Sequence, residues 1–284
     1  MDAPYGQLID VEPGIARLLA PNPSPYTATG TQVHLIGTDA LAILDPGPAD
    51  PDHLAALIAA IAGRPVEAIL VTHTHRDHSP AAGPLRAATG APVIGCSVLA
   101  LDGLGLGGES FDAGYAPDRV LADGDSVSVD GRTLRAIHTP GHTSNHLCFA
   151  DEEAGVLFSG DHVMGWSTSV VIPPDGHMGD YMASLDKLRR RSDRIYYPAH
   201  GNPVGEPQRL VRGMVAHRLQ RESQLLRLLR ESGPATVAQL VAAAYPGLDA
   251  RLVPAAGASV LANLITLAQG GSVRNDNDFW SRCP

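Results

Sequence analysis

The sequence predicts a mixed fold, α/β or α+β, and three observations carry that reading. Short apolar runs alternate with segments of helical period. Several of those runs end directly on a histidine or an aspartate, and charge and histidine content change together near residue 207. With domains of about 100 to 200 residues the rule, a chain of 284 holds one large domain or a catalytic domain with a smaller appendage.

Val33 to Leu44 contains two apolar runs, VHLIG and LAILD, which flank Thr38-Asp39 and read as a strand pair closing on the turn Asp45-Pro46-Gly47-Pro48. Over Asp50 to Ala62, Leu54, Leu57, Ile58 and Ile61 recur at helical spacing, with Gly63 as the stop. Ala68 to Thr72 (AILVT) is short and wholly apolar, the pattern of a strand buried on both faces, and a histidine cluster begins where it ends. Pro80 to Thr89 is a candidate helix, Pro92 to Gly95 a strand, and Val120 to Phe149 a set of strands joined at Asp130-Gly131. VLFSGD leads to Asp161 and IYYPAHG to His200, so polar groups again arrive at strand ends, on loops held by a rigid scaffold. Beyond Pro207, Gln208 to Glu231 is a long Arg-rich helical pattern, closed by Ser232-Gly233-Pro234. Thr236 to Ala244 and Leu252 to Ala268 give two more helices, and Gly270-Gly271 leads into SVRN. Three helices and a terminal hairpin resemble a winged helix, which sets the expected domains at 1–206 and 207–284.

The net charge of −9 hides an asymmetry. Residues 1–206 carry 12 basic against 25 acidic side chains, whereas residues 207–284 carry 9 against 5. Eleven of the twelve histidines precede residue 201, and only His217 follows it. An acidic, histidine-rich part and a basic, histidine-poor part point to two domains with different work. Cys96, Cys148 and Cys283 are scattered, odd in number and without a C-x-x-C pair, which argues against a disulfide framework or a thiolate zinc site. No uninterrupted run of about 18 apolar residues is present. The N-terminal MDAPYGQLIDVEPG lacks the basic and apolar parts of an export signal, so the expectation is a cytoplasmic protein with no membrane partner.

The chemistry is concentrated in His73-Thr74-His75-Arg76-Asp77-His78, three imidazoles and a carboxylate in six residues directly after a buried strand. Imidazole nitrogen and carboxylate oxygen suit zinc, with neither thiolates nor an all-oxygen cage to favour another metal. On extended backbone the H-x-H spacing puts His73 and His75 on one side, and a turn after Asp77 swings Asp77 and His78 toward a second ion. One loop can therefore serve two ions. Two histidines in a solvated turn could be chance; this string is too dense for that.

This string, followed in order by Gly141-His142-Thr143, Ser159-Gly160-Asp161 and Pro198-Ala199-His200-Gly201, resembles the metallo-β-lactamase superfamily over roughly residues 25–205. The resemblance implies a four-layer αββα sandwich with a small C-terminal winged-helix-like domain. It also implies two Zn2+ per chain, one held by His73, His75 and His142, the other by Asp77, His78 and His200, with Asp161 bridging. Asp45 would orient a ligating imidazole rather than bind metal. Such sites leave positions open for water, and two close ions acidify a shared water and polarise a substrate oxygen, which implies a hydrolase that activates a metal-bridging hydroxide. Asp77 would take the general acid-base role.

Substrate is not fixed by fold. The zinc β-lactamases lack a bridging aspartate, and glyoxalase II enzymes follow the histidine string with two glycines where this chain has Ser79-Pro80-Ala81-Ala82-Gly83. THTHRDHSPAAGPL, GDHVMGWSTSVVIPPDG and YMASLDKL, with the C-terminal module, are most similar to the lactamase-beta-two-like subgroup, which includes a single-strand endoribonuclease. By that resemblance Trp166, Ser167 and Thr168 lie near substrate. His146 and His162 are candidates to touch ligands or substrate, and so is His138, whereas His34, His53, His177 and His217 read as ordinary surface or core residues. Three readings result. The first is a hydrolase of a small-molecule ester or thioester, the second a phosphodiesterase or endoribonuclease on single-stranded RNA, and the third a non-catalytic nucleic-acid-binding regulator; lactonase or weak β-lactamase action is a side activity. The complete ligand set argues against the regulator. Arg209, Arg212, Arg218, Arg221, Arg227 and Arg230 along one helix attract polyanions, pair with the acidic domain, or form a homodimer interface. Gly103 to Gly108 matches G-x-G-x-x-G only formally, since no strand runs into it and no helix opens on it. Arg189-Arg190-Arg191 reads as the cationic end of a helix.

Overall fold

A computed structural model describes residues 4–100 and 110–283; the glycine-rich stretch 103–108 lies outside them. The chain forms two compact units. One comprises Met1–Thr139, Asn145–Ser169 and Ser192–Pro207, and the other Pro140–Ser144, Val170–Arg191 and Gln208–Pro284.

The first unit is built on two sheets. Strands β1 (Leu8–Glu12), β2 (Ile15–Leu19), β3 (Gln32–Ile36), β4 (Leu41–Leu44), β5 (Val66–Val71), β6 (Val93–Gly95) and β7 (Arg119–Val120) lie side by side in chain order. β1 to β4 are antiparallel, and β4 to β7 are parallel. The change follows from the connections, because short turns join β1 to β2 and β3 to β4 and a loop over residues 20–31 joins β2 to β3, while helices α1 (Pro51–Ile61) and α2 (Ala82–Thr89) cross from β4 to β5 and from β5 to β6. Asp50 starts α1 by accepting the His53 N–H at 2.8 Å, with Pro51 in the first turn, and Ala62 stops it in the left-handed region at φ 56°. The second sheet has the order β12 (Ile195–Pro198), β11 (Val156–Gly160), β10 (Leu147–Asp151), β9 (Arg132–His138), β8 (Ser126–Val129).

Both sheets feed one apolar core. Leu35, Ile43 and Ile69 from the first meet Val129, Phe149 and Phe158 from the second in a single buried cluster, to which α1 adds Leu57 and α2 adds Leu85. This is the expected mixed sandwich. β5 is buried from Ala68 to Val71, which accounts for its unbroken apolarity.

The second unit holds helices α3 (Met178–Arg189), α4 (Pro207–Ser232, its first residue in the other unit), α5 (Val237–Ala244) and α6 (Val253–Gln269), and the hairpin β13 (Val273–Asp276) and β14 (Phe279–Arg282). Its core gathers Leu225, Leu229, Leu240, Leu264 and Trp280. Thr236 and Gln239 form a reciprocal capping box that fixes the start of α5. Ala235 pairs with Trp280 through both main-chain bonds, so the segment before α5 adds to the hairpin edge. Ala250–Gln269 is long and apolar enough, by length and composition, to cross a membrane, with a mean hydropathy of 1.5. Ser259, Asn263 and Thr266 interrupt the apolar run. Its apolar face is used inside the unit, where Val260, Leu264 and Leu267 are buried.

The six arginines do lie on α4, but they do not act alike. Arg218 is buried, 5% exposed, with its guanidinium 5.1 Å from the Tyr181 ring, and Arg221 sits 4.4 Å over Tyr245. Arg209, Arg212, Arg227 and Arg230 are more open to solvent than Arg218. Arg189 and Arg190, at the end of α3, pair with Asp186.

Candidate metal centre

Sheet register brings the predicted groups together. In the parallel pair β4 and β5, Leu44 lies opposite Leu70, so Asp45 falls beside the residues that open the histidine string. The Asp45 N–H donates to the Leu70 carbonyl at 2.8 Å, and Asp45 takes φ 48°, a left-handed conformation that aspartate tolerates better than most residues. Gly160 lies opposite Pro198 in the parallel pair β11 and β12, which places Asp161 next to the chain carrying His200. The Leu147 N–H donates to the Thr72 carbonyl at 2.9 Å and ties the two sheets at this rim.

His73, His75 and Asp161 present ligand atoms within 4.8 Å of one another, and Asp77, His78 and His200 do the same. His200 Nε2 stands 3.1 Å from Asp77 Oδ2 and 3.2 Å from Asp161 Oδ1, so Asp161 also reaches the second group. His73 Nε2 and His75 Nδ1 are 3.0 Å apart, and the His75 ring stacks on Phe111 with centroids 4.6 Å apart. His142 stands on the Pro140–Ser144 loop of the other unit, with Nδ1 2.6 Å from the Val170 carbonyl. Gly141 opens that loop at φ 134°, where a Cβ would meet the Tyr181 backbone at 2.3 Å.

The hydrogen bonds fix how the imidazoles face. Thr72 donates its single hydroxyl proton to Asp45 Oδ2 at 2.7 Å, so toward His73 Nδ1, at 2.9 Å, it acts as acceptor. Asp45 Oδ2 also takes the His78 Nδ1 proton at 3.0 Å, and the Gly30 carbonyl takes that of His200 at 3.2 Å. With Val170 serving His142, four imidazoles direct Nδ1–H at an oxygen, which would leave Nε2 to bind a metal. Nε2 of His78 is buried and makes no hydrogen bond, its nearest carboxylate oxygens being 3.3 and 3.6 Å away. A buried nitrogen so placed calls for a cation.

Charge points the same way. Burial opposes a charge on His78, but Asp77, Asp161 and Asp45 around it hold its pKa well above the usual value. Against the same burial, Asp161 and Asp77 raise His200 to about 9. Burial would push the two carboxyls up, yet His78 and His200 hold both Asp77 and Asp161 well below the ordinary range. The pocket gathers negative charge that imidazolium balances here and that divalent ions can balance instead.

The remaining candidates separate clearly. His146 and His162 are buried beside the cluster, their rings 5.9 Å apart. Trp166 is exposed, anchored where the Gly165 N–H donates to the His200 carbonyl at 3.0 Å, and Ser167 and Thr168 follow it. His138 ends β9 exposed. His53 is buried in the core, its Nε2 2.9 Å from the Pro46 carbonyl, and burial beside Arg17 lowers His34 to about 3. His177 caps α3, and His217 is half-buried on α4. Sequence reasoning missed Thr72 and Phe111, and also Thr31, whose hydroxyl donates to Asp77 Oδ2 at 3.4 Å. Thr72 abuts the histidine string and was findable. Thr31 and Phe111 carry no local signal, since folding alone brings them there.

Comparison with known proteins identifies the family. Residues 26–200 match the metallo-beta-lactamase superfamily, and residues 236–280 match the beta-lactamase associated winged helix domain. The chain belongs to the metallo-beta-lactamase superfamily and is a hydrolase. A beta-lactamase-like protein 2 homolog of Drosophila melanogaster is 30% identical, with 94% of this chain and 93% of that protein covered. An atrochrysone carboxyl ACP thioesterase of Cryptosporiopsis sp. is 30% identical over 84% of this chain and 74% of its own. A crystal structure of a metallo-beta-lactamase family protein from Thermus thermophilus superposes with a TM-score of 0.81 at 25% identity, covering 96% of this chain and 100% of that one.

Proposed function

We propose that the chain is a binuclear zinc hydrolase of esters or thioesters. The observation that carries this is the pair of His/Asp groups, each within 4.8 Å, with imidazole Nε2 atoms turned toward carboxylates. His73, His75 and His142 would hold one ion, Asp77, His78 and His200 the other, and Asp161 both. When bound, such ions bring the pKa of water toward 7 and polarise a carbonyl oxygen. Asp45 orients His78 directly and His73 through Thr72. Asp77, whose side chain is 26% exposed against 9% for Asp161, is the carboxylate open enough to hold and pass a proton. Trp166, Ser167 and Thr168 line the approach beside His200, and His162 is buried next to His146. The catalytic domain is 1–206 and the winged-helix-like domain 207–284. None of the three cysteines forms a disulfide, which fits a reducing cytoplasm.

The similarity to a protein named a thioesterase supports carbonyl chemistry. A second reading, a phosphodiesterase on single-stranded RNA, draws on the winged-helix match and on Arg209, Arg212, Arg227 and Arg230 of α4. Purified zinc-loaded protein tested on acyl thioesters, chromogenic esters, bis-p-nitrophenyl phosphate and fluorogenic RNA separates them. Thioester turnover that a chelator abolishes and zinc restores is expected. RNA cleavage with thioesters untouched would replace this reading by the second.

A further inference from the structure

Asp161 begins where β11 ends, and its buried main-chain N–H needs an acceptor. Nε2 of His146 provides it at 3.1 Å. A backbone N–H can only donate, so Nε2 carries a lone pair and the ring proton sits on Nδ1, 2.8 Å from Thr139 Oγ1. The ring is therefore neutral, because a second proton on Nε2 would face the Asp161 N–H head on. Thr139 holds the residue at its other end as well, its N–H donating to the His146 carbonyl at 2.9 Å. Gly160 leaves the room required, since a Cβ there would meet His146 Nε2 at 2.6 Å. The same ring packs 5.1 Å, centroid to centroid, from His73. One imidazole thus touches two members of the first ligand group while its own Nε2 is committed to the backbone.

We propose that His146 is a positioning residue, not a ligand: a neutral, Nδ1-protonated imidazole that holds the Asp161 backbone and so sets the carboxylate shared by the two metal groups. The proposal rests on the two-metal reading for its effect on ion binding, but the tautomer can be tested without it. Long-range 15N–1H NMR of the imidazoles, in metal-free and zinc-loaded protein, is expected to show His146 neutral with its proton on Nδ1; an Nε2–H ring or an imidazolium overturns the proposal. Zinc affinity, read by competition with a chromophoric chelator, then tests the consequence. His146→Leu is expected to weaken one of the two ions by about 10- to 100-fold, as loss of a residue supporting a ligand does. His146→Gln, whose Oε1 can accept the same N–H, retains most of the affinity. Equal affinity in Leu and wild type, or equal loss in Leu and Gln, overturns it. Should His146→Leu fail to fold, Thr139→Val removes the Nδ1 partner while the Asp161 N–H still faces Nε2; the Nδ1–H tautomer is then expected to persist with weakened zinc affinity, and a switch to Nε2–H or unchanged affinity counts against the proposal. Wild-type protein that takes up no metal defeats the two-metal reading, and the tautomer alone then decides whether His146 holds Asp161.

Discussion

Four imidazoles, His73, His78, His142 and His200, each turn Nδ1 toward an oxygen, and in three of them that oxygen comes from a residue distant in sequence. The sequence can place a histidine in a string, but its tautomer is set by whatever the fold brings behind it. Asp45 shows this best: its identity is visible in LDPGP, whereas its three-way grip on Thr72 N–H, Thr72 Oγ1 and His78 Nδ1 exists only once β4 and β5 are in register. A pH dependence follows. Without metal, the carboxylates of Asp161 and Asp77 overcome burial to raise the pKa of His200 to about 9, and Asp77, Asp161 and Asp45 likewise raise that of His78 above its usual value, which favours the protonated rings. Ligation through Nε2 requires that proton to leave. Zinc binding at pH 7 is therefore expected to release protons, and apparent affinity to rise with pH through the range in which His200 titrates, about 9. Calorimetry in two buffers of different ionisation heat checks this, and binding with neither proton release nor pH dependence would show the rings neutral before metal arrives.

Among the elements, those with a helical period were legible, as was β5 from its apolar run beside the histidine string, whereas the first two strands were not. α1, α4, α5 and α6 follow their apolar spacing to within a residue or two of the expected ends. β1 and β2 went unread. IARLL in β2 is buried at every position, Arg17 included, and so shows no alternation, and a short run of this kind fits strand or helix equally well. Arg218 was misjudged for a related reason: an arginine at a helical position reads as solvated, yet its stem is buried and its guanidinium lies on Tyr181. The second unit's core makes an element-scale prediction. Leu264 on α6 is fully buried among Leu240, Val260 and Trp280, and Leu264→Ala is expected to cost about 2–5 kcal/mol through lost burial and the cavity left. Urea unfolding followed by Trp280 fluorescence measures it. A loss within error of zero would mean that α6 does not pack in this core.

At the scale of the whole molecule, the charge split near residue 207 and the histidine imbalance predicted two kinds of structure, and two family matches, 26–200 and 236–280, fall on the two sides. The two parts differ in chemistry: carboxylates and imidazoles gathered in groups that could hold a metal ion in one, arginines on a helix in the other. Composition could not show that Pro140–Ser144, carrying His142, and Val170–Arg191 cluster with the C-terminal unit, since that depends on contacts between segments far apart in the chain. The central claim is a centre of two ions that performs the hydrolysis. Stepwise zinc addition to metal-free protein, with bound metal counted by elemental analysis and thioester hydrolysis assayed at each step, tests it most directly. The account predicts uptake of two ions per chain, with full activity reached only at the second. Full activity with one ion, or with none, would contradict it.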